Sequence, residues 1–76
     1  MSDIKQFEMI YGKYVNDVYR MALYLVKDEN KAQDIVRQVF ASIYKQWRDI
    51  EEQSVYLQLL KETKRIAQNE RRNRDG

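Results

Sequence analysis

The sequence predicts an all-α fold, a compact bundle of three to four helices. Three observations carry that expectation. Proline is absent and the only glycines are Gly12 and Gly76, so the punctuation that strands and tight turns need is missing. Apolar residues recur at steps of three and four along the chain, the spacing of one helix face. The length of 76 residues allows one small domain with a single core, for which 43% apolar residues supply the material.

The first helix is expected from about residue 4 to Val26, with Phe7, Ile10, Tyr11, Tyr14, Val18, Met21 and Leu25 on its inner face. Asp3 and Gln6 have the spacing of a capping pair at its start. Gly12 in its middle costs roughly 1 kcal/mol relative to alanine, so the segment reads as one long helix or two nearly collinear pieces. Lys27-Asp28-Glu29-Asn30 forms a polar connector in which Asp28 or Asn30 can cap the next helix. That second helix carries Ile35, Val36, Val39, Phe40, Ile43, Tyr44 and Trp47 and should end near Trp47. A second connector, Arg48 to Gln53, holds Asp49, Glu51 and Glu52. Ser54 can cap a third helix to about Glu70, with Tyr56, Leu57, Leu59, Leu60, Thr63, Ile66 and Ala67 as its apolar set. No apolar residue follows Ala67, so residues 71–76 are expected to fray.

Composition excludes several functions. Without cysteine there is neither a disulfide framework nor a thiolate metal site, and without histidine the commonest general base and zinc ligand are missing. Adjacent acids such as Asp28-Glu29 and Glu51-Glu52 sit on connectors where water solvates them, and neither connector has the glycine turn of an oxygen-ligand metal loop. No catalytic residue, cofactor or metal is expected, and the chain is not read as an enzyme. The longest unbroken apolar run, Met21 to Val26, is far short of the roughly 20 residues of a membrane span, and the chain opens without a secretion signal. The expectation is a soluble, cytoplasmic protein.

Charge is unevenly spread. Residues 1–60 balance at −1, whereas residues 61–76 balance at +3, through Lys61, Lys64, Arg65, Arg71, Arg72 and Arg74 against three acids. A basic end on a near-neutral body suits a polyanion such as nucleic acid, although cations also suit the negative end of a helix dipole. Tyr56 opens the same helix, where an aromatic ring can stack on an unpaired base. On the polar side of the second helix, Asp34 lies one turn from Arg37 and Gln38, which makes either a local ion pair or a docking face.

The order of residues adds a resemblance. Phe7-x-x-Ile10-Tyr11-x-x-Tyr14-x-x-x-Val18-Tyr19-Arg20-x-Ala22-x-x-Leu25, then Asp28, then Ala32-Gln33-Asp34-Ile35-Val36-x-x-Val39-Phe40, then Trp47, resembles region 2 of extracytoplasmic-function sigma factors, which belong to the sigma-70 family. The match is good over residues 7–47 and loose over 54–74. It implies one region 2-like domain over residues 1–76 whose second helix docks on the clamp helices of the RNA polymerase β′ subunit through Asp34, Arg37 and Gln38. It further implies that the last helix and the loop before it capture the promoter −10 element as a single non-template strand, with one base flipped into a protein pocket. Tyr56 would then stand where the family has an aromatic, usually tryptophan, and Lys61, Lys64, Arg65, Arg71 and Arg72 would follow the DNA backbone.

The chain departs from the family in two places. Asp34-Ile35-Val36-Arg37-Gln38 stands where Asp-x-x-Gln-Glu is usual. Leu60, Lys61, Glu62, Thr63 and Ala67 occupy the places of Ile-Ala-Arg-Asn and an aspartate four residues beyond the Asn. The loop also carries three acids that oppose a phosphate backbone. These departures motivate a second reading, a sigma-like interaction module that binds polymerase or a partner protein without reading DNA itself. An anti-sigma factor, or a separate subunit supplying the region 4 that the family normally carries downstream, would be such a partner. On either reading the resemblance implies an excised domain or a stand-alone region 2, and in the second case another chain would supply region 4. A helical bundle with no polymerase link is the third reading.

Overall fold

A computed structural model describes the backbone of residues 3–75 and the side chains of residues 4–70. It is an all-α bundle of three helices, α1 (Asp3–Val26), α2 (Glu29–Lys45) and α3 (Val55–Asp75), with two short 3-10 turns at Trp47–Asp49 and Glu52–Ser54. Each helix packs against the other two, and the molecule measures 42 × 20 × 17 Å.

α1 is one continuous helix through Gly12. The glycine is exposed, and a Cβ built on it meets nothing within 4 Å. Asp3, the expected cap, has its side chain outside the described residues. The helix stops at Lys27, which takes a left-handed φ of 57° and donates its backbone N–H to the Leu23 carbonyl at 2.7 Å. Asp28 follows in extended conformation and accepts the Lys31 N–H on its carboxylate at 3.0 Å, so the cap is Asp28 rather than Asn30. Only Lys27 and Asp28 separate the two helices, a connection short enough to force them antiparallel. Accordingly Phe7, near the start of α1, meets Phe40, Tyr44 and Trp47 near the end of α2.

The core takes Val18, Ala22 and Val26 from α1, the stripe Ala32, Ile35, Val36, Val39, Phe40 and Ile43 from α2, and Val55, Leu59, Thr63, Ile66 and Ala67 from α3. The inner face of α1 is displaced in part from the expected one. Phe7, Ile10, Tyr14 and Leu25 pack against the core as expected, but Met21 is only half-buried and Tyr11 is exposed, whereas Ala22 and Val26 are buried. Spacing of large apolar residues overlooks an alanine, yet a small side chain on the centre line lets neighbouring helices come close. In α3, Tyr56 and Leu57 are exposed because the buried arc runs through Val55, Leu59 and Thr63. Tyr44 is likewise exposed on α2.

Two element ends differ from expectation. α2 gives way at Gln46, whose side-chain amide donates to the Ser42 carbonyl and hydroxyl, so Trp47 sits in a 3-10 turn beyond the helix. α3 continues past Glu70 to Asp75. Gly12→Ala should raise stability by about 1 kcal/mol, because the helix interior there is open and alanine removes only unfolded-state freedom. Urea unfolding followed by circular dichroism would show this as a higher midpoint at unchanged slope.

Candidate functional site

α2 presents Asp34, Arg37 and Gln38 on its outer side, all exposed. One turn of helix brings the Arg37 guanidinium onto the Asp34 carboxylate as a salt bridge, with the two side chains 78% and 52% exposed. An exposed pair of this kind contributes only a few tenths of a kcal/mol and leaves most guanidinium N–H groups free. Gln38 lies toward the opposite edge, over a groove of about 430 Å³ between α2 and α3 that Lys45, Arg65, Ile66 and Asn69 also line. Gln38 and Arg65, assigned by sequence to different partners, thus share one groove.

Lys61, Lys64 and Arg65 are exposed on α3. Arg71 and Arg72 continue the helix, with side chains outside the described residues. Arg65 donates to the Glu62 carboxylate at 2.7 Å. That hydrogen bond, followed by the charge of Glu62, holds the guanidinium pKa above its ordinary value. The same carboxylate oxygen accepts from the Ser42 hydroxyl at 3.2 Å, which ties α3 to α2. Glu62 therefore competes with any phosphate for Arg65, whereas Lys61 and Lys64 form no salt bridge among the described residues.

Tyr56 stands at the α1–α3 seam, 43% exposed, its ring tilted 39° against Tyr14 at 5.1 Å between centroids. The Lys13 ammonium lies 5.3 Å from the centre of the Tyr14 ring, within cation–π range. The preceding residue, Val55, lines a second cavity of about 380 Å³ between the first turns of α1 and the α2–α3 connection. Met9, Ile10, Trp47 and Ile50 give it apolar walls, and Gln6, Arg48 and Glu52 add hydrogen-bonding groups. Trp47 is held there by edge-on contact with Phe7 at 5.4 Å and 88°. Periodicity assigned Trp47 to the α2 stripe and left the connector as solvated polar chain, so this cavity escaped the sequence reading. The available signal was Trp47 and Ile50, two large apolar residues flanking a polar stretch.

Thr63 and Ala67 are 0% and 1% exposed. The Thr63 hydroxyl donates to the Leu59 carbonyl at 2.6 Å. Both positions serve the core, so neither can present a polar group to a ligand. Ala67→Asp should cost about 3 kcal/mol by burying an unpaired carboxyl, while Thr63→Val should stay within about 1 kcal/mol because its shape is kept. Thermal unfolding of both variants checks the contrast.

Among the described residues no three His, Cys, Asp or Glu side chains are grouped to hold a metal ion, and no helix is long and apolar enough to cross a membrane. Over 48 residues, 63% of its length, the chain is 29% identical to the ECF RNA polymerase sigma factor SigX of Bacillus subtilis (strain 168). The match covers 25% of that protein, so the chain spans about a quarter of the relative's length. No family model matches the chain. No solved structure matches it.

Proposed function

We propose that this chain is a sigma-type transcription-initiation domain of the cytoplasm that docks on RNA polymerase and helps recognise and melt the promoter −10 element. The observation that carries the reading is the cavity that Trp47 lines together with Met9, Ile10, Ile50 and Val55, at the start of the basic helix α3. The similarity to a sigma factor supports it independently.

In this reading α2 meets the β′ clamp helices through Asp34, Arg37 and Gln38. The guanidinium of Arg37, only weakly held by Asp34, exchanges that carboxylate for acidic groups of the partner. A base of the non-template strand leaves the stack and enters the cavity. Its unstacking costs a few kcal/mol, offset by roughly 1–3 kcal/mol for each base that stacks on an aromatic ring. Met9, Ile10, Trp47 and Ile50 exclude water around it, while Gln6, Arg48 and Glu52 supply donors and acceptors for its edge. Phosphates follow Lys61 and Lys64, joined by Arg71 and Arg72, and by Arg65 once Glu62 releases it. The exposed acids Asp49 and Glu51 keep the backbone off the connector and on α3. Nothing in this role requires a catalytic residue or cofactor.

The burial of Thr63 and Ala67 and the engagement of Arg65 by Glu62 favour a second reading, an interaction module that binds polymerase or a partner chain without reading DNA. A region 4 subunit or an anti-sigma factor would be that partner. Trp47 separates the two readings, since it is the only tryptophan and lines the cavity. A single-stranded −10 oligonucleotide should quench or shift its fluorescence saturably; binding of a clamp-helix fragment with no response to oligonucleotide would favour the interaction module. For docking, Arg37→Glu should weaken binding of the clamp-helix fragment about tenfold, roughly 1.4 kcal/mol, in a calorimetric titration. Unchanged affinity would remove the outer face of α2 from the interface.

A further inference from the structure

The outward face of α1 has no part in the scheme above, yet it is built for a ligand. Lys13, Arg20 and Lys27 recur at seven-residue intervals and are all exposed. Seven residues are close to two turns, so Lys13 and Arg20 lie on one side of α1 with a drift of only about 20°, and Lys27, the residue that ends the helix, follows one interval on. Tyr24 lies on the same side, one turn beyond Arg20, and is 77% exposed. Among the described residues the ion pairs belong to Arg37 and Arg65, so none of these three cations is neutralised. Asp17, one turn from both Lys13 and Arg20, is exposed and pairs with neither, and Asp28, next to Lys27, accepts the Lys31 backbone N–H instead.

Gln6, one interval before Lys13, and Met9, one turn before it, both line the cavity that holds Trp47. Lys13 further touches Tyr14, and Tyr14 touches Tyr56 at the head of the basic α3 face. Both helices whose first turns line the cavity thus carry exposed cations further along, Lys61 and Lys64 on α3 and Lys13 and Arg20 on α1, with Lys27 just after it. The geometry points to α1 as a second nucleic-acid track: a single strand anchored in the cavity continues over Lys13, Arg20 and Lys27, with a base stacked on Tyr24. Single-stranded nucleic acid is the occupant that suits both halves of this surface, since regularly spaced cations take its phosphates and an exposed ring takes its base. The inference rests on the nucleic-acid arm of the proposed function and adds residues that the resemblance does not assign.

Fluorescence anisotropy of the full chain with a fluorescein-labelled oligothymidine, over a range of salt concentrations, tests it. The parent is compared with the triple variant Lys13→Gln/Arg20→Gln/Lys27→Gln, with Tyr24→Ala, and with Lys61→Gln/Lys64→Gln. All these positions are exposed, and circular dichroism verifies that helicity is kept. Loss of three phosphate contacts should flatten the slope of log affinity against log salt by about 2 and lower low-salt affinity at least tenfold, by roughly 0.7 in slope per contact. Tyr24→Ala should lose about fivefold or more, the lower end of a stacked base's contribution. If Lys61→Gln/Lys64→Gln weakens binding while the α1 variants match the parent, α1 is idle and the inference falls, with DNA reading intact. If the parent binds no oligonucleotide, both fall together. If phosphatidylglycerol vesicles bind through Lys13, Arg20 and Lys27 while oligonucleotide affinity ignores them, the surface serves lipid and the inference is overturned.

Discussion

Phe7 is the contact on which the functional end of this bundle depends. Its ring meets Phe40, Tyr44 and Trp47 edge-on, with centroids 6.2, 5.0 and 5.4 Å away. Such pairs contribute about 0.5–1.5 kcal/mol each beyond their buried area, a large sum for a domain of this size. The contact fixes the first turns of α1 against the end of α2 and holds Trp47 after the helix has ended. Both walls of the cavity lined by Trp47 follow from it. Gln6, Met9 and Ile10 reach the cavity because α1 is pinned there, and Trp47 lines it because Phe7 holds its position.

At the opposite end, the two-residue connection through Lys27 and Asp28 sets the register between α1 and α2. A lysine in left-handed conformation and an aspartate capping Glu29–Lys45 leave no slack in the turn. With that end closed and the Phe7 cluster tying the other, α3 has one groove to occupy. It fills the groove with Val55, Leu59, Thr63, Ile66 and Ala67, and Glu62 reaches Ser42 across the seam. Thr63 and Ala67 are thus held by shape. A buried hydroxyl bonded to its own helix and a methyl group are what the space admits, so a larger polar group at either position has no room.

Electrostatics then separates cations that are occupied from cations that are available. Arg37 and Arg65 are each bridged to an acid one turn away, and exchange of that partner is part of any binding event they join. Lys13, Arg20, Lys27, Lys61 and Lys64 are exposed and form no salt bridge among the described residues. They lie on α1, just after it and on α3, the two helices whose first turns line the cavity, while the connector between α2 and α3 carries the exposed acids Asp49 and Glu51. A polyanion entering this surface meets attraction along α1 and α3 and repulsion over the connector, which orients a strand before any specific contact forms.

What the sequence by itself determined is the local order of the protein. The absence of proline, the three- and four-residue apolar steps and a polar connector offering Asp28 or Asn30 as a cap specify a bundle of three to four helices and roughly where they begin, because those signals act within a few residues. The α2 stripe from Ile35 to Ile43 was legible for the same reason. The candidate surfaces were legible only as composition: Asp34, Arg37 and Gln38 on one side of α2, and Tyr56 with Lys61 and Lys64 on α3. Tertiary structure decided the rest. Whether Tyr11, Tyr44 and Leu57 are buried, whether Ala22 replaces Met21 on the inner line, whether Glu62 holds Arg65, and that Trp47 lines a cavity all depend on where two other helices lie. Periodicity gives the direction of a side chain around its own axis; the depth of cover and the partner it meets come from segments distant in sequence.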